Sequence, residues 1–132
     1  MRAVQIVSLD GPEALQITEV PDPTPGEGQV LVRVRAAGVA FPELLHTRGL
    51  YQSKPALPFT PGSEVAGDII SAPDGSGFAP GDRVVASATS GGYAELAAAN
   101  VDRVFRLPDS VSYEAGASFF SNYGTAYFAL VE

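Results

Sequence analysis

The sequence contains no cysteine among its 132 residues, and this absence removes several kinds of chemistry at once. Without a thiol, the chain can form no disulfide, no thiolate zinc site and no cysteine nucleophile. It has a single histidine, His46, so imidazole ligands and general bases are also scarce. His46 falls in a short predicted helix, where we expect a partly exposed residue rather than a catalytic base.

Positive charge is sparse and scattered. Eight basic residues stand against 15 acidic ones, which gives a net charge of −7. Because no row of arginines could neutralise a series of phosphates, nucleic acid is not an expected partner. No apolar run approaches the roughly 20 residues of a membrane-spanning helix, and the N-terminus carries no secretion signal. We therefore expect no membrane partner and a cytoplasmic location.

Glycine and proline, in contrast, are abundant, with 14 and 11 residues. They separate short apolar runs, a pattern that predicts short strands joined by turns. The predicted strands span residues 1–7, 15–20, 29–37, 64–71, 83–88, 93–99 and 104–107.

Strand 29–37 has the clearest pattern. Its apolar residues Val30, Val32, Val34 and Ala36 alternate with longer side chains, so we expect all four on one face. The arginines between them are expected on the solvated face, because strand side chains repeat with a period of two.

Helices are predicted in three places. Residues 41–48 can form the first, since Pro42 is tolerated in a first turn and Gly49 can end it. Two more are predicted over 112–119, with Ser112 as its N-cap, and over 123–131. Together the elements predict a mainly β fold with helices, a compact and partly open β-barrel domain with a C-terminal helix.

The last predicted helix would be capped by Asn122 and carries an apolar stripe. Little in the sequence remains to bury this stripe, so we expect an exposed apolar surface around Phe119, Phe120, Tyr123 and Tyr127. Such a surface favours a homodimer. Because no C-cap signal follows, we expect a fragment or a truncated gene product, with a naturally short protein as the alternative.

Seven short segments carry a family resemblance that covers nearly the whole chain. They are 34–39 (VRAAGV), 49–51 (GLY), 57–62 (LPFTPG), 64–67 (EVAG), 80–84 (PGDRV), 91–95 (GGYAE) and 125–126 (TA). In this order and spacing they resemble the N-terminal, GroES-like domain of the medium-chain dehydrogenase/reductase superfamily. Within it they are most similar to the zinc-free, zeta-crystallin-like quinone oxidoreductases.

The zinc-using branch of this superfamily has a Cys near position 41 and a His at position 63. Phe41 and Ser63 stand at those positions here, so the resemblance implies that no zinc is bound. Glu64 is the acid closest to this place. With no partner ligands, its carboxylate is expected to accept hydrogen bonds from loop backbone.

The resemblance also divides the chain. Residues 1–111 would form the GroES-like domain, incomplete here because the family adds its last pieces later in the chain. Residues 112–132 would lead into a Rossmann domain, which binds NADPH in the family. No G-x-G-x-x-G fingerprint occurs at a strand-to-helix turn in this sequence. The main cofactor domain, and with it the choice between NADPH and NADH, would lie outside this chain.

In the related enzymes, the nicotinamide end of the cofactor lies in the cleft between the two domains. By position, the resemblance implies cofactor contacts from Ala40, Phe41, Tyr51 and Thr125, and a substrate pocket lined by Leu45 and Tyr51. Ala40 replaces the Asn usual in the family, and Leu45 would make the pocket more apolar. No residue is assigned a catalytic role.

Two of these residues have structural alternatives. Tyr51 could instead pack on the proline-rich loop that follows it. Thr125 could lie on a buried helix and bond the carbonyl four residues before it.

The reaction implied for the parent enzyme is hydride transfer from NADPH to a small quinone or enone-like acceptor, without metal. The cofactor carries such chemistry and the protein mainly positions the reactants. A 2-enoyl (alkene) reductase of the same superfamily stays open as an alternative. So do a non-enzymatic GroES-like binding module and a truncated gene product, since the chain alone is expected to be inactive. A GroES-like co-chaperone would rest on fold analogy alone.

Overall fold

The computed structural model describes residues 1–88 and 90–131. In that part of the chain, seven strands form two antiparallel sheets. The strands are β1 (Arg2–Ile6), β2 (Leu15–Glu19), β3 (Gln29–Ala37), β4 (Glu64–Ser71), β5 (Arg83–Ser87), β6 (Leu96–Asn100) and β7 (Val104–Arg106).

The first two strands form a hairpin. Its partner residues run from Arg2 opposite Glu19 to Ile6 opposite Leu15, and the connection contains a 3₁₀ turn, Pro12–Ala14. The free edge of β1 is bound by loops of the larger sheet. The Val4 amide donates to the Tyr93 carbonyl at 2.8 Å, and the Ile6 amide donates to the Phe59 carbonyl at 2.9 Å. The hairpin is therefore joined to the rest of the fold by main-chain hydrogen bonds.

The other five strands form a curled, half-barrel sheet in the order β6-β3-β4-β5-β7. Its concave core is made of small and β-branched side chains, among them Val30, Val32, Val65 and Val84, each 0% exposed. On the opposite face, a second cluster forms around Val85. Central strands are thus buried on both faces, and the predicted mainly β, partly open barrel is confirmed.

The alternation predicted for β3 holds only for its first part. Val30 and Val32 lie in the concave core and Val34 packs against it. The register then shifts between Val34 and Ala36, and Ala36 packs against the opposite cluster while Ala37 faces the core. A β-bulge of this kind exchanges the two faces of a strand, so placing Ala36 with the valines was wrong.

One predicted strand begins too early. The sequence pattern favoured 93–99, but β6 starts at Leu96. Tyr93 and Ala94 lie in an extended segment whose main chain bonds the Pro61 carbonyl and bridges to Ala3 instead. The other six predicted strands agree with the structure to within one residue at each end.

The helices are α1 (Phe41–Thr47), α2 (Tyr113–Gly116) and α3 (Thr125–Val131), with a π-helical turn at Phe120–Gly124 and a 3₁₀ turn at Val101–Arg103. Ser112 caps α2 as predicted, its Oγ accepting from the Ala115 amide at 3.2 Å. Helix α2 ends at Gly116, before the predicted end at 119. Asn122 is not a cap: it lies inside the π-helical turn and donates to the Ser118 carbonyl.

The C-terminal segment is exposed, as predicted. Every residue of α3 is exposed, and the side chains of Phe119, Tyr123 and Tyr127 are each more than half exposed. Phe120 differs, because its ring packs 5.0 Å from that of Phe105, against the cluster around Val85. None of the helices in the part of the chain that the structure describes has the length and apolar character needed to span a bilayer.

Candidate functional site

The candidate site begins where β3 ends and the chain passes close to the C-terminal segment. The Gly38 amide donates to the Glu64 carbonyl at 2.9 Å. A Cβ at Gly38 would lie 2.3 Å from the Ala117 carbonyl oxygen, so only glycine allows this approach. The next residues turn into α1, with extended backbone at Ala40 and Phe41 as the first helical residue. Phe41 is 68% exposed, so its ring is free at the surface.

Glu43 holds the start of α1 in place. Its buried carboxylate accepts from the Ala40 amide at 3.1 Å and from the Ser63 hydroxyl at 2.7 Å. The first contact is half of a capping box, since a backbone amide before the helix is bound by the third helical residue. The second contact ties α1 to the Pro61–Ser63 loop. Ser63, for which the resemblance implied a histidine in the zinc-using branch, thus bonds a carboxylate.

Tyr93 closes the same region from the other side. Its hydroxyl donates to the Gly38 carbonyl at 3.0 Å. Burial, together with the charge of nearby Glu43, raises the pKa of Tyr93 to about 12. The phenol therefore keeps its proton at neutral pH and acts as a donor. Gly62 lies against it, with φ at 101° and no room for a Cβ, which would be 2.5 Å from the Tyr93 ring.

Glu64 binds backbone, as the sequence suggested, but the backbone is that of a distant segment. The residue is 4% exposed and starts β4. Its carboxylate accepts from the amides of Phe120 and Ser121, the latter at 3.2 Å. The contact ties the sheet to the π-helical turn that precedes α3.

Tyr51 and Leu45 are half-buried, and Tyr51 has an aromatic partner that the sequence did not indicate. Its ring meets His46 edge-on, with 4.5 Å between ring centroids, and His46 also faces Phe59 at 5.8 Å. His46 is half-buried in α1, as expected. Among the described residues, its buried Nε2 has no hydrogen-bond partner.

Thr125 is the first residue of α3, and it is exposed. The alternative that it bonds its own helix in a buried setting is therefore wrong as regards burial. The structure brings Ala40 and Phe41 together at the start of α1 and pairs Tyr51 with His46. Thr125 lies on a separate, C-terminal helix.

Sequence reasoning missed two residues of this region, Glu43 and Tyr93. A signal for Glu43 was present, because a Glu at the third position of a predicted helix has the capping-box spacing. Tyr93 had no local signal, since its hydroxyl contacts Gly38 across 55 residues of sequence.

Positions 41 and 63, at which the resemblance implied zinc ligands in the zinc-using branch, have other contacts here. Phe41 is exposed and Ser63 is hydrogen-bonded to Glu43. Across residues 1–88 and 90–131, no three His, Cys, Asp or Glu side chains come together in a way that could hold a metal ion.

Comparison with known proteins gives consistent results. The family model for the alcohol dehydrogenase GroES-like domain matches residues 26–109. Human quinone oxidoreductase is 45% identical over 99% of this chain, and the match covers 41% of the human protein. A probable oxidoreductase from Mycobacterium abscessus has a similar structure, with a TM-score of 0.94 and 46% identity over 98% of this chain and 42% of that one.

A further similar structure is the quinone oxidoreductase from Thermus thermophilus, which was solved alone and in complex with NADPH. Its TM-score is 0.84 at 35% identity, covering 98% of this chain and 40% of that one. This chain therefore spans about two fifths of the length of the relatives it matches.

Proposed function

We propose that this chain, which belongs to the alcohol dehydrogenase GroES-like domain family, is the N-terminal part of the catalytic domain of a quinone oxidoreductase-like enzyme. Residues 1–111 are its GroES-like domain, and residues 112–132 lead into a nucleotide-binding Rossmann domain. The observation that supports this most is the similarity to human quinone oxidoreductase along 99% of the chain. It reaches beyond the GroES-like match into the C-terminal helix.

The proposed cofactor is NADPH, which supplies a hydride when it is bound. The polar side chains available on this chain for its nicotinamide end are Tyr51 and Thr125, and the exposed Thr125 hydroxyl is free to bond a ligand. Ala40 has only a methyl side chain and its amide is bound by Glu43, so the wall that it forms with Phe41 is apolar. Leu45 and Tyr51 would face a small quinone or enone-like acceptor.

The residues present fit a reaction without zinc. Phe41 and Ser63 supply neither thiolate nor imidazole, and the Ser63 hydroxyl is engaged by Glu43. Instead of ligating a metal, this part of the domain positions the start of α1. That role agrees with hydride transfer, in which orientation of the reactants carries much of the rate.

A cytoplasmic location goes with this function, and it remains a prediction. Cell fractionation with an antibody to the chain tests it, and recovery in the membrane fraction after high-salt washing would contradict it.

A chimera tests the proposed reaction. Residues 1–131 are joined to the part of human quinone oxidoreductase beyond the matched region, and NADPH oxidation is followed with 1,4-benzoquinone and, separately, with an α,β-unsaturated ketone. We expect quinone-dependent oxidation that survives chelators. The 132-residue chain alone and the human remainder alone serve as controls, and we expect neither to exceed the blank.

Variants of the chimera test the assigned contacts. Thr125→Ala and Tyr51→Phe each remove one hydroxyl, and losing a hydrogen bond of about 1 kcal/mol lowers kcat/KM about fivefold. Thr24→Ala, at an exposed loop position, should change nothing. A folded chimera that binds NADPH but reduces neither acceptor would refute the function, whereas reduction of the alkene alone would replace the quinone with the alkene as substrate.

We further propose that this chain forms a homodimer through the apolar C-terminal surface, defined here as Phe119, Tyr123, Tyr127, Phe128 and Leu130. All five side chains are more than half exposed. The surface adjoins a cavity of about 530 Å³ lined mainly by apolar and aromatic residues. No charged residue occurs from 118 to 131, so a second copy meets no like charge there although the chain has a net charge of −7. Contiguous exposed apolar surface of this kind marks an interaction site.

The oligomeric state, measured by light scattering over a concentration series, tests this dimer. We expect a dimer for the natural chain and a monomer for Tyr127→Glu. Ile17→Glu is the matched control, because Ile17 is another large apolar side chain, 76% exposed against 68% for Tyr127, but lies on β2. A natural chain that stays monomeric at every concentration would contradict the proposal.

A further inference from the structure

Glu64 is a buried carboxylate whose hydrogen-bond partners are backbone amides. In the described part of the chain, its side chain is bound by the amides of Phe120 and Ser121. A buried carboxylate is costly unless hydrogen bonds replace its hydration. Two charge-assisted bonds at one side chain therefore make a strong link between two segments.

Three segments of the chain meet at this residue. The Glu64 carbonyl accepts a hydrogen bond from the Gly38 amide. Gly38 begins the stretch that leads to Ala40 and Phe41. Gly38 in turn lies so close to the Ala117 carbonyl that a Cβ would overlap with it. The main chain of Glu64 thus holds the α1 side of the candidate site, and its side chain holds the C-terminal side.

Beyond this link, the C-terminal segment has little to hold it. The ring of Phe120 packs against Phe105, and after it every residue from 121 to 131 is exposed. Among the described residues, Ser121 is the last before α3 with a hydrogen bond to the sheet, and Thr125 follows four positions later. The direction of α3 is therefore set mainly at Phe120 and Ser121.

We propose that Glu64 is a positioning residue that orients α3, and with it Thr125, relative to the Ala40–Phe41 wall. The role in cofactor binding rests on the proposed function, but the orienting contact itself does not. Glu64 does not touch the cofactor in this proposal. It acts through the two amides, which require an acceptor at both oxygens of the side chain.

Glu64→Gln is the decisive variant, because it keeps the shape of the side chain and replaces one acceptor by an NH₂ group. That group faces an amide donor, so one of the two bonds is lost. Glu114→Gln is the matched control, since Glu114 is an exposed acid in α2. NMR of the isotope-labelled 132-residue chain gives the amide shifts of Phe120 and Ser121. Residual dipolar couplings give the orientation of α3 against the sheet.

In Glu64→Gln at neutral pH, the amide shifts of Phe120 and Ser121 should both change, because one of the two hydrogen bonds is lost. The α3 couplings should change while those of β3 to β5 stay as they were, and Glu114→Gln should match the natural chain throughout. A residue that only stabilises the fold would lower the free energy of unfolding when replaced, with no change confined to the orientation of α3.

Unchanged Phe120 and Ser121 shifts, or unchanged α3 couplings in Glu64→Gln, would overturn the proposal. If that variant does not fold, hydrogen exchange in the natural chain decides: we expect protection at the Phe120 and Ser121 amides, and rapid exchange at both amides overturns the proposal. None of these measurements involves cofactor. An inactive chimera would therefore reject the proposed nicotinamide site without affecting the orienting role of Glu64. Conversely, NMR results that contradict the orienting role would leave the proposed function untouched.

Discussion

The centre of the sheet and the C-terminal segment, residues 121–131, are both rich in apolar side chains and opposite in burial. Val32 and Val65 are 0% exposed, whereas Tyr127 is 68% and Leu130 85% exposed. Strands β3, β4 and β5 have hydrogen-bonded neighbours on both sides and apolar clusters against their faces. Helix α3 mainly contacts the π-helical turn before it. Apolar side chains are thus buried only where another element of the fold packs against them.

Two glycines provide the sharpest test of this contrast. A Cβ at Gly67, in β4, would lie 2.0 Å from the Arg33 carbonyl oxygen, whereas one at Gly124 meets nothing within 4 Å. We expect Gly67→Ala to lower the free energy of unfolding by at least about 3 kcal/mol, or to prevent folding, because backbone must move. Gly124→Ala should leave it unchanged or raise it by up to about 1 kcal/mol, since alanine favours helix. Urea denaturation measures both, and equal effects would show that the two regions are packed alike.

Truncation of apolar side chains should give the next largest difference. Val32→Ala removes buried methyl groups and leaves a cavity, so we expect a loss of about 2 kcal/mol. Leu130→Ala should cost less than about 0.5 kcal/mol, because its side chain is already in water. Both are measured by thermal or urea unfolding at dilutions where the chain is monomeric. A large cost at Leu130 would mean that α3 is covered in solution.

Loss of a hydrogen bond at the buried Glu43 carboxylate should lower the free energy of unfolding by a smaller amount. Glu43→Gln keeps one acceptor of the pair that binds Ala40 and Ser63, and we expect a loss of about 1–2 kcal/mol. Glu27→Gln, at an exposed loop position, is the control and should be neutral. If the Glu43 variant is as stable as the natural chain, its two hydrogen bonds do not hold α1 in place.

The smallest expected effect is a pH dependence at Tyr93. The pKa of this phenol is raised in the folded chain from 10.0 to about 12 by burial and by Glu43. Because this pKa is higher in the folded chain than in the unfolded one, Tyr93 contributes to the free energy of unfolding. The contribution is fully present below the pKa of the unfolded chain, and it is lost as pH rises from about 10 to about 12. Comparing urea midpoints over this range with those of Tyr93→Phe isolates the contribution. Identical pH profiles for the two chains would contradict it.

Much of the fold followed from local pattern, and the failures share a cause. Alternation in β3 was readable up to Val34, but the bulge that turns Ala36 to the other face depends on its pairing with β4. The capping role of Ser112 could also be predicted, because an N-cap depends only on the residues next to it. The capping role predicted for Asn122 was wrong, because this residue lies inside a π-helical turn. At the candidate site, Glu64 was expected to bind backbone, and it does. The sequence did not indicate that this backbone would be that of Phe120 and Ser121.

The sequence by itself determined the element types, the half-barrel class and the absence of thiol chemistry, because turns, alternation and composition act within a few residues. Only the tertiary structure decided that Glu43 meets Ser63 and that Glu64 meets Phe120 and Ser121. These contacts join residues 20, 56 and 57 positions apart. Buried carboxylates take whichever donors the fold brings to them, and no local pattern specifies those donors. The same reason explains why a C-terminal helix as apolar as the core can remain exposed.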